Sequence, residues 1–389
     1  MAEKTFYGFP REDGTAGTRN YLAIIPTVFC ANEVVSAIAR GQPNSRPLLH
    51  CKGCGQLAPD LEIITRTLVG LGSSPNVGAT LLVGLGCEAV SIDEVYAGIA
   101  QRRSLVEKLV IQEAGGMSAA VRKGRQIVER MIGALATQKR APQPLANLRL
   151  AVKCGSSDAT SGLAANPATG KAVDEIIAAG GTVIFGETTE FIGAEHILAA
   201  RAIDGAVAQK ILAIVNRMEK RIIQMGVDMR GTQPSPGNIA GGLTTIEEKS
   251  LGAISKSGHQ PICDVYEYGE QIKGSGLFIM DSPGKEDEFL TGACAAGANM
   301  IVFTSGGGAP QGCPLVPVVK VAGNPDKVLR MKEHVDVDAG AIIKGTQSIQ
   351  GVGRSIIQRV LRAASGEQVA AEIHQYDKSI GIYTRGPTI

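Results

Sequence analysis

Short runs of aliphatic residues recur along the chain, each followed by a turn of small residues and then by a helical pattern. The runs that predict strands are Tyr21–Cys30, Ala79–Cys87, Leu148–Cys154, Thr182–Glu187, Leu277–Asp281 and Met300–Ser305. The segments that predict helices are Ala31–Ala39, Asp60–Leu71, Ser118–Ala136, Pro167–Ala179, Ala199–Met225 and Gly351–Ala364. Strands that alternate with helices are typical of βαβ units, in which a parallel sheet is buried between helices.

Length and composition extend this prediction to the whole chain. A chain of 389 residues favours two or three domains. Aromatic residues are only 4% of the total and Trp is absent, so aliphatic side chains must fill the interior. The polar segment Gln138–Asn147 contains two prolines, which indicates a linker. We therefore predict an α/β protein with two Rossmann-like domains, residues 1–140 and 148–389, whose mainly parallel sheets are covered by helices. The second domain carries most of the glycine-rich loops.

The charge pattern excludes some classes of partner. The net charge is +2, from 39 basic and 37 acidic residues spread along the chain, so neither a nucleic acid nor a membrane partner is expected. The N-terminus has no apolar segment of signal-peptide length, and we expect a cytoplasmic protein. In a reducing compartment the eight cysteines are expected to be buried thiols, metal ligands or catalytic groups rather than disulfides.

Polar or reactive side chains stand at the ends of five predicted strands. They are Cys30, Cys87, Cys154, Glu187 and Asp281. Ligands of open α/β sheets bind at the carboxyl ends of the strands, so these side chains predict a site there. The alternative for each cysteine is that it ends a strand as a small hydrophobic residue.

The segment His50–Gln56 (HCKGCGQ) places two thiols and an imidazole within seven residues. A structural zinc site would need a second ligand pair of this kind, which the sequence lacks. A metal held by ligands from separate loops, with open positions for substrate, is the better prediction, and mixed His, Cys and carboxylate donors suit Fe²⁺ or Zn²⁺. The alternative is a loop of inert thiols.

A second group of candidate residues follows the strand at Thr182–Glu187. Glu187, Glu190 and His196 could act as general acid and base or bind a metal, although Glu190 also suits the first turn of a helix. Arg19 and Asn20, just before the first strand, could bind a carboxylate or lie on the surface. The sequence contains neither a complete phosphate-binding loop nor a dinucleotide-binding fingerprint, so no nucleotide cofactor is expected.

Eight motifs in order along the chain together resemble the altronate/galactarate dehydratase family. They are GTRNYLAIIPTVFCANE, HCKGCGQLAPDLE, LLVGLGCE, KCGSSDATSGLAANPATG, GETTEFIGAEH, PSPGNIAGGLTTIEEKS, MDSPG and FTSGGGAPQGCP. The resemblance implies a metal-dependent lyase, with Fe²⁺ as the expected metal, that removes water from a sugar acid and gives a 2-keto-3-deoxy acid. It also implies a large subunit that acts with a separate small subunit in an oligomer.

The resemblance and the residue patterns together give a hypothesis for the site. Some of His50, Cys54, Cys87 and Cys154 would bind the metal. His196, oriented by Glu187 or Glu190, would be the acid or base. The residues expected to hold the anionic substrate are Arg19, Asn20, Lys52, Ser156, Ser157, Asp158 and Asn166.

Three alternative functions stay open at this point. Family relatives often have a second His or a small polar residue where this chain has Lys52, and an extra amine favours a more anionic substrate. This supports a sulfolactate sulfo-lyase that releases sulfite and pyruvate. A non-catalytic subunit that binds a small acid is the second alternative. An NAD-dependent dehydrogenase is the third, and the missing dinucleotide-binding fingerprint weakens it.

Overall fold

The computed structural model describes residues 5–389, which form three sheets and their covering helices. The strands are β1 (Thr5–Pro10), β2 (Ala16–Gly17), β3 (Tyr21–Pro26), β4 (Ser45–Pro47), β5 (Val77–Gly84), β6 (Val106–Val110), β7 (Ala141–Pro144), β8 (Arg149–Gly155), β9 (Thr182–Phe185), β10 (Ile262–Tyr266), β11 (Gly276–Met280), β12 (Met300–Ser305), β13 (Val318–Ala322) and β14 (Val337–Asp338). The helices are α1 (Asn32–Ala39), α2 (Ala58–Gly72), α3 (Ile92–Ala100), α4 (Ile111–Ala114), α5 (Met117–Ala136), α6 (Asn166–Ala178), α7 (Glu195–Ala200), α8 (Gly205–Gln224), α9 (Met229–Thr232), α10 (Pro236–Ala240), α11 (Ile246–Ile254), α12 (Glu286–Ala295), α13 (Pro325–Arg330), α14 (Gly340–Ile343), α15 (Ile349–Ala364) and α16 (Ala370–Ile373).

The smaller parallel sheet has four strands in the order β4-β3-β5-β6. Its central strands β3 and β5 are buried along their whole length. Successive side chains of a strand point to opposite faces, so Leu22 and Ile24 pack with α1 and α5, whereas Ala23 and Ile25 pack with α2 and α3. Aliphatic residues on both faces therefore fix this sheet between two layers of helices.

The larger sheet has seven parallel strands in the order β10-β11-β9-β8-β12-β13-β14. On one face, α6 and α15 cover Leu150 and Val152 of β8, and on the other face α12 covers its neighbour Ala151. The chain leaves β8 toward β9 on one side and later returns to β12 on the other side. This reversal of strand order at β8 is where a parallel sheet forms a ligand-binding crevice.

The two parallel sheets confirm the predicted α/β class with helix-covered sheets. They share one hydrophobic core, in which Ile64 and Leu68 of α2 pack with Phe289 and Ala293 of α12. The predicted division into two domains at residues 140 and 148 stays a prediction.

Two sequence expectations need correction. The segment Gln138–Asn147 contains β7, which pairs antiparallel with β1, and its prolines are tolerated because β7 is an edge strand. The single helix expected over Ala199–Met225 is divided into α7 and α8, because Asp204 caps α8 by accepting a hydrogen bond from Val207 N at 2.8 Å. Within residues 5–389 no helix has the length and apolar character needed to cross a membrane.

Candidate active site

The carboxyl end of β8 carries two polar side chains into the protein interior. Lys153 and Cys154 are almost completely buried, at 0% and 1% exposure. The neighbouring strand β9 ends at Phe185, and Glu187 then adopts a left-handed conformation with φ 71°. Such a conformation is uncommon for a residue with a side chain and often occurs at functional sites. It places the Glu187 carboxylate against the end of β8.

Two buried lysines surround the Glu187 carboxylate. Lys153 Nζ donates to Oε1 at 2.8 Å, and Lys256 Nζ lies 2.9 Å from Oε2. Burial alone would raise the pKa of Glu187, but the two ammonium groups lower it below its ordinary value. Glu187 is therefore an anion that is completely buried and neutralised by cations.

Cys154 connects this ionic group to a second carboxylate. Its Sγ donates to Glu190 Oε2 at 2.8 Å and lies 3.4 Å from Lys256 Nζ. Burial and the neighbouring carboxylates of Glu187 and Glu190 raise the pKa of the Cys154 thiol well above its ordinary value. Without a bound metal, Cys154 is therefore a thiol that donates a hydrogen bond to Glu190.

Cys154, Glu187 and Glu190 could hold a metal ion. One ligand atom from each of these buried residues lies within 4.8 Å of the other two. A thiolate with two carboxylates suits Fe²⁺ or Zn²⁺ rather than Mg²⁺ or Ca²⁺, and binding would require the thiol to lose its proton. The residues present therefore fit a divalent transition metal.

A polar cavity of about 640 Å³ opens beside this group. Cys154 and Glu190 line it together with residues whose side chains can hydrogen-bond to a small polar molecule: Ser156, Ser157, Gln233, Asn238, Lys249 and Asn324. Lys249 Nζ lies 3.6 Å from Glu190 Oε1, so a cation faces the same space as the carboxylate. The cavity can therefore hold a small molecule that carries both hydroxyl groups and negative charge.

Glycine-rich loops form much of the cavity wall. Asn238 of α10 donates through Nδ2 to Ser157 O at 2.8 Å, which joins the segment Pro234–Gly242 to the end of β8. Gly307, after β12, and Gly284, after β11, complete the wall. These loops follow strands of the larger sheet or pack over the carboxyl ends of its strands. The cavity therefore lies where a parallel sheet binds its ligand.

Asp158 and Asn166 accept hydrogen bonds that hold the segments around the cavity in place. Asp158 Oδ1 accepts hydrogen bonds from Ser161 N at 2.9 Å and Thr160 Oγ1 at 2.6 Å, and its Oδ2 accepts one from Asn324 Nδ2 at 3.1 Å. Asn166 Oδ1 accepts a hydrogen bond from Thr304 Oγ1 at 2.5 Å. Asp158 also lines the cavity, whereas Asn166 lines a smaller adjoining one.

Three of the four residues predicted to bind the metal are not assembled with Cys154. His50 is buried with Nε2 2.7 Å from Pro26 O, and burial lowers its pKa to about 4. Cys54 and Cys87 are exposed. Within residues 5–389, none of these three belongs to a group of potential ligand atoms that all lie within 4.8 Å of one another.

Four other candidates have contacts outside the cavity. Arg19 forms a buried ion pair with Glu372 at 2.7 Å. Asn20 accepts a hydrogen bond from Arg11 NH1 at 2.9 Å, and Lys52 Nζ donates to Thr384 Oγ1 at 2.8 Å. His196 is exposed on α7 and is not among the described residues that line the cavity. None of these four residues lines the cavity in the described part of the chain, and the roles expected for them from the sequence stay predictions.

The three lysines of the site, Lys153, Lys249 and Lys256, are missing from the sequence-based set. A signal exists only for Lys153, because a charged residue within an apolar strand must find a buried partner. Lys249 and Lys256 lie on and just after α11, far from β8 in the sequence, and resemble ordinary helix-surface lysines there.

Comparison with known proteins places the whole chain in one family. Residues 8–136 match the model of the second domain of D-galactarate dehydratase/altronate hydrolase, and residues 145–388 match the C-terminal domain model of D-galactarate/altronate dehydratase. The chain is 36% identical to the (2R)-sulfolactate sulfo-lyase subunit beta of Chromohalobacter salexigens, over 95% of each chain.

Two dehydratases are similar to nearly the same degree. Identity to the altronate dehydratase of Bacillus subtilis is 34%, over 99% of this chain and 79% of the relative. Identity to the galactarate dehydratase (L-threo-forming) of Escherichia coli is 33%, over 94% of this chain and 73% of the relative. The chain therefore belongs to the D-galactarate/altronate dehydratase family of lyases, whose second and C-terminal domains it carries.

Proposed function

We propose that this protein eliminates water from a sugar acid of the altronate or galactarate type and gives a 2-keto-3-deoxy acid. The observation that carries the proposal is the polar cavity beside Cys154, Glu187 and Glu190. Its volume of about 640 Å³ and its many hydrogen-bonding side chains suit a substrate with several hydroxyl groups. The identities of 33–34% to altronate and galactarate dehydratases support the same reaction.

The elimination needs a base, a proton donor and an anchor for the carboxylate. Of the carboxylates that line the cavity, Glu190 is the one beside Lys249, and its Oε1 takes the proton from the carbon next to the substrate carboxylate, while its Oε2 faces Cys154. Lys249 donates a proton to the departing hydroxyl group, so the carbon–oxygen bond breaks and water leaves. The resulting enol rearranges to the keto acid. Ser156, Ser157 and Asn324 hold the anionic end.

The buried lysines act on the site without touching the substrate. Lys153 and Lys256 keep Glu187 ionised and fixed between β8 and β9. Cys154, Glu187 and Glu190 would hold a divalent metal, for which we propose Fe²⁺. When bound, this metal would polarise the oxygens of the substrate and stabilise the negative charge that forms on them.

Sulfolactate is the second candidate substrate. The observation that favours it is the match to a sulfo-lyase beta subunit over 95% of both chains, whereas the dehydratases extend beyond the matched region. The same site would then release sulfite from sulfolactate instead of water from a sugar acid. Because that relative is called a subunit beta, we also propose that this chain acts with a separate small subunit.

Anaerobic assays with Fe²⁺ and the small subunit would test the proposal. Altronate, galactarate and sulfolactate are each supplied, and 2-keto acid and sulfite are measured. Keto acid without sulfite is expected from a sugar acid, whereas sulfite from sulfolactate would establish the second candidate. If none of the three substrates gives a product, the proposed function is wrong.

Variants then test the assigned residues. Glu190→Gln should lower kcat by about 10²–10⁴-fold, the usual contribution of a general base. The matched control Glu129→Gln, on the exposed face of α5, should keep full activity. His196→Ala should also stay active, because its side chain lies outside the cavity. Full activity of Glu190→Gln would contradict the assigned base.

A further inference from the structure

Four of the eight cysteines are exposed, and all four lie at one edge of the smaller sheet. Cys30, Cys51, Cys54 and Cys87 are exposed, whereas Cys154, Cys294 and Cys313 are buried and Cys263 is partly buried. Cys30 follows β3, Cys51 and Cys54 follow β4, and Cys87 follows β5. Free cysteines are among the most buried residues in proteins, so four exposed thiols at one sheet edge need an explanation.

Hydrogen bonds between backbones join the three loops that carry these thiols. Phe29 N, next to Cys30, donates to Lys52 O at 2.9 Å. Ala89 N, two residues after Cys87, donates to Gly53 O at 3.0 Å. The loop with Cys51 and Cys54 is therefore held directly between the other two loops, at the carboxyl ends of the adjacent strands β4, β3 and β5.

Gly53 allows the Cys51–Cys54 loop to approach the loop after β3 closely. This residue has φ +106°, and a Cβ atom there would lie 2.2 Å from Thr27 O. A larger residue would push the Cys51–Cys54 loop away from the loop after β3. His50 also anchors the loop, since its Nε2 lies 2.7 Å from Pro26 O.

We propose that Cys30, Cys51, Cys54 and Cys87 bind an iron–sulfur cluster. Four thiolates are the usual ligand set of such clusters, and soft sulfur ligands favour them or zinc. A zinc ion would bring its sulfur ligands close together, at Zn–S distances of about 2.3 Å. Within residues 5–389, no three of these four sulfur atoms all lie within 4.8 Å of one another. A cluster of several irons fits such wider spacing better than a single zinc ion.

This site is separate from the proposed catalytic metal. Cys154, Glu187 and Glu190 belong to the larger sheet, and all three are buried. The four exposed cysteines belong to loops of the smaller sheet and do not line the polar cavity in the described part of the chain. The cluster would link the three loops at that edge, and the proposal does not depend on which acid is the substrate.

The test is anaerobic purification of the full chain after reconstitution with Fe²⁺ and sulfide. The expected result is about four acid-labile sulfides and about five irons per chain, the fifth iron being the one proposed at Cys154, with visible absorption typical of a [4Fe–4S] cluster. Cys54→Ser and Cys87→Ser should each lose most of the sulfide and absorption. The matched control Cys263→Ser, at a partly buried cysteine of β10, should keep both. Cys154→Ser should also keep the sulfide, because it belongs to the other site.

Three results would overturn the proposal. They are zinc without sulfide, no sulfide after reconstitution, and equal sulfide in Cys54→Ser and Cys263→Ser. Circular dichroism of each variant checks the fold, so that loss of the cluster is separated from unfolding. Because sulfide and absorption are measured rather than turnover, failure of this proposal is distinguishable from failure of the proposed function.

Discussion

Glu187 shows how a single residue can depend on distant parts of the chain. It is a completely buried anion that two lysines neutralise, Lys153 on β8 and Lys256 after α11. Removing one partner of a buried ion pair leaves the other charge without compensation, which costs far more than losing a surface pair. The stability of the site therefore depends on both lysines.

Lys256→Met should lower the free energy of unfolding by about 3–5 kcal/mol, because Glu187 would keep only one cation inside the protein. Urea unfolding followed by circular dichroism measures this change. Lys220→Met, at an exposed position on α8, is the matched control and should change stability by less than about 0.5 kcal/mol. If Lys256→Met is as stable as this control, the buried ion pair has been assigned wrongly.

Residues at strand ends could be selected from the sequence, but their partners could not. Cys154, Glu187 and Glu190 were candidates because they follow aliphatic runs, and the structure brings them together. The Lys256 contact with Cys154 joins residues 102 positions apart, which no local pattern reports. His196 has the chemistry of a catalytic group, but the direction of its side chain on α7 depends on how that short helix packs.

Helix α10 connects the glycine-rich segment Pro234–Gly242 to the residues that follow β8. Asn238 lies in this five-residue helix, donates to Ser157 O at 2.8 Å, and accepts from Ser235 N at 3.1 Å. A short helix contributes little stability of its own, so its position depends on such contacts. The Asn238 amide therefore holds the cavity wall over Ser157 together with the backbone hydrogen bond from Ala159 N to Gly241 O at 3.0 Å.

Asn238→Ala should raise KM by about tenfold, since a lost hydrogen bond of about 1–1.5 kcal/mol corresponds to that ratio. The melting temperature should stay close to that of the wild type, because most residues of α10 are exposed. Steady-state kinetics on the active substrate measures the effect. Gln224→Ala, at the exposed end of α8, serves as the control. An unchanged KM would show that α10 does not position the cavity wall.

The predicted strand Met300–Ser305 has the bounds of β12, whereas the other predicted strands agree with the observed ones at their centres and differ at one or both ends. Tyr21–Cys30 and Ala79–Cys87 were each expected to continue to a cysteine, but β3 ends at Pro26 and β5 at Gly84. Aliphatic runs determine where a strand is buried, so its centre is visible in the sequence. The last residues leave the sheet because loop contacts, such as those at Gly53, determine where the chain turns.

At the scale of the whole molecule, the shared core connects the two parallel sheets. Residues of α2, which covers the smaller sheet, pack against α12, which covers the larger one. The two helices approach so closely that a Cβ atom on Gly70 would lie 2.4 Å from Ala295 O. A contact this tight makes the stability of each sheet depend on the other.

Gly70→Ala tests this dependence, because the added methyl group must push α2 and α12 apart. The free energy of unfolding should fall by about 1–3 kcal/mol, the usual cost of overpacking. Gly133→Ala in α5 is the matched control, since nothing lies within 4 Å of its Cβ position. There the substitution should stabilise the protein by up to about 1 kcal/mol, because alanine favours a helix more than glycine.

Hydrogen exchange measured by mass spectrometry in increasing urea would show whether the sheets unfold together. In Gly70→Ala, peptides containing β3 and peptides containing β12 should lose protection at the same, lowered urea concentration, because one core holds both strands. If only the β3 peptides lose protection at a lowered urea concentration, and the β12 peptides stay as protected as in the wild type, the shared core is contradicted. That result would instead support two independently folding domains divided near residues 140 and 148.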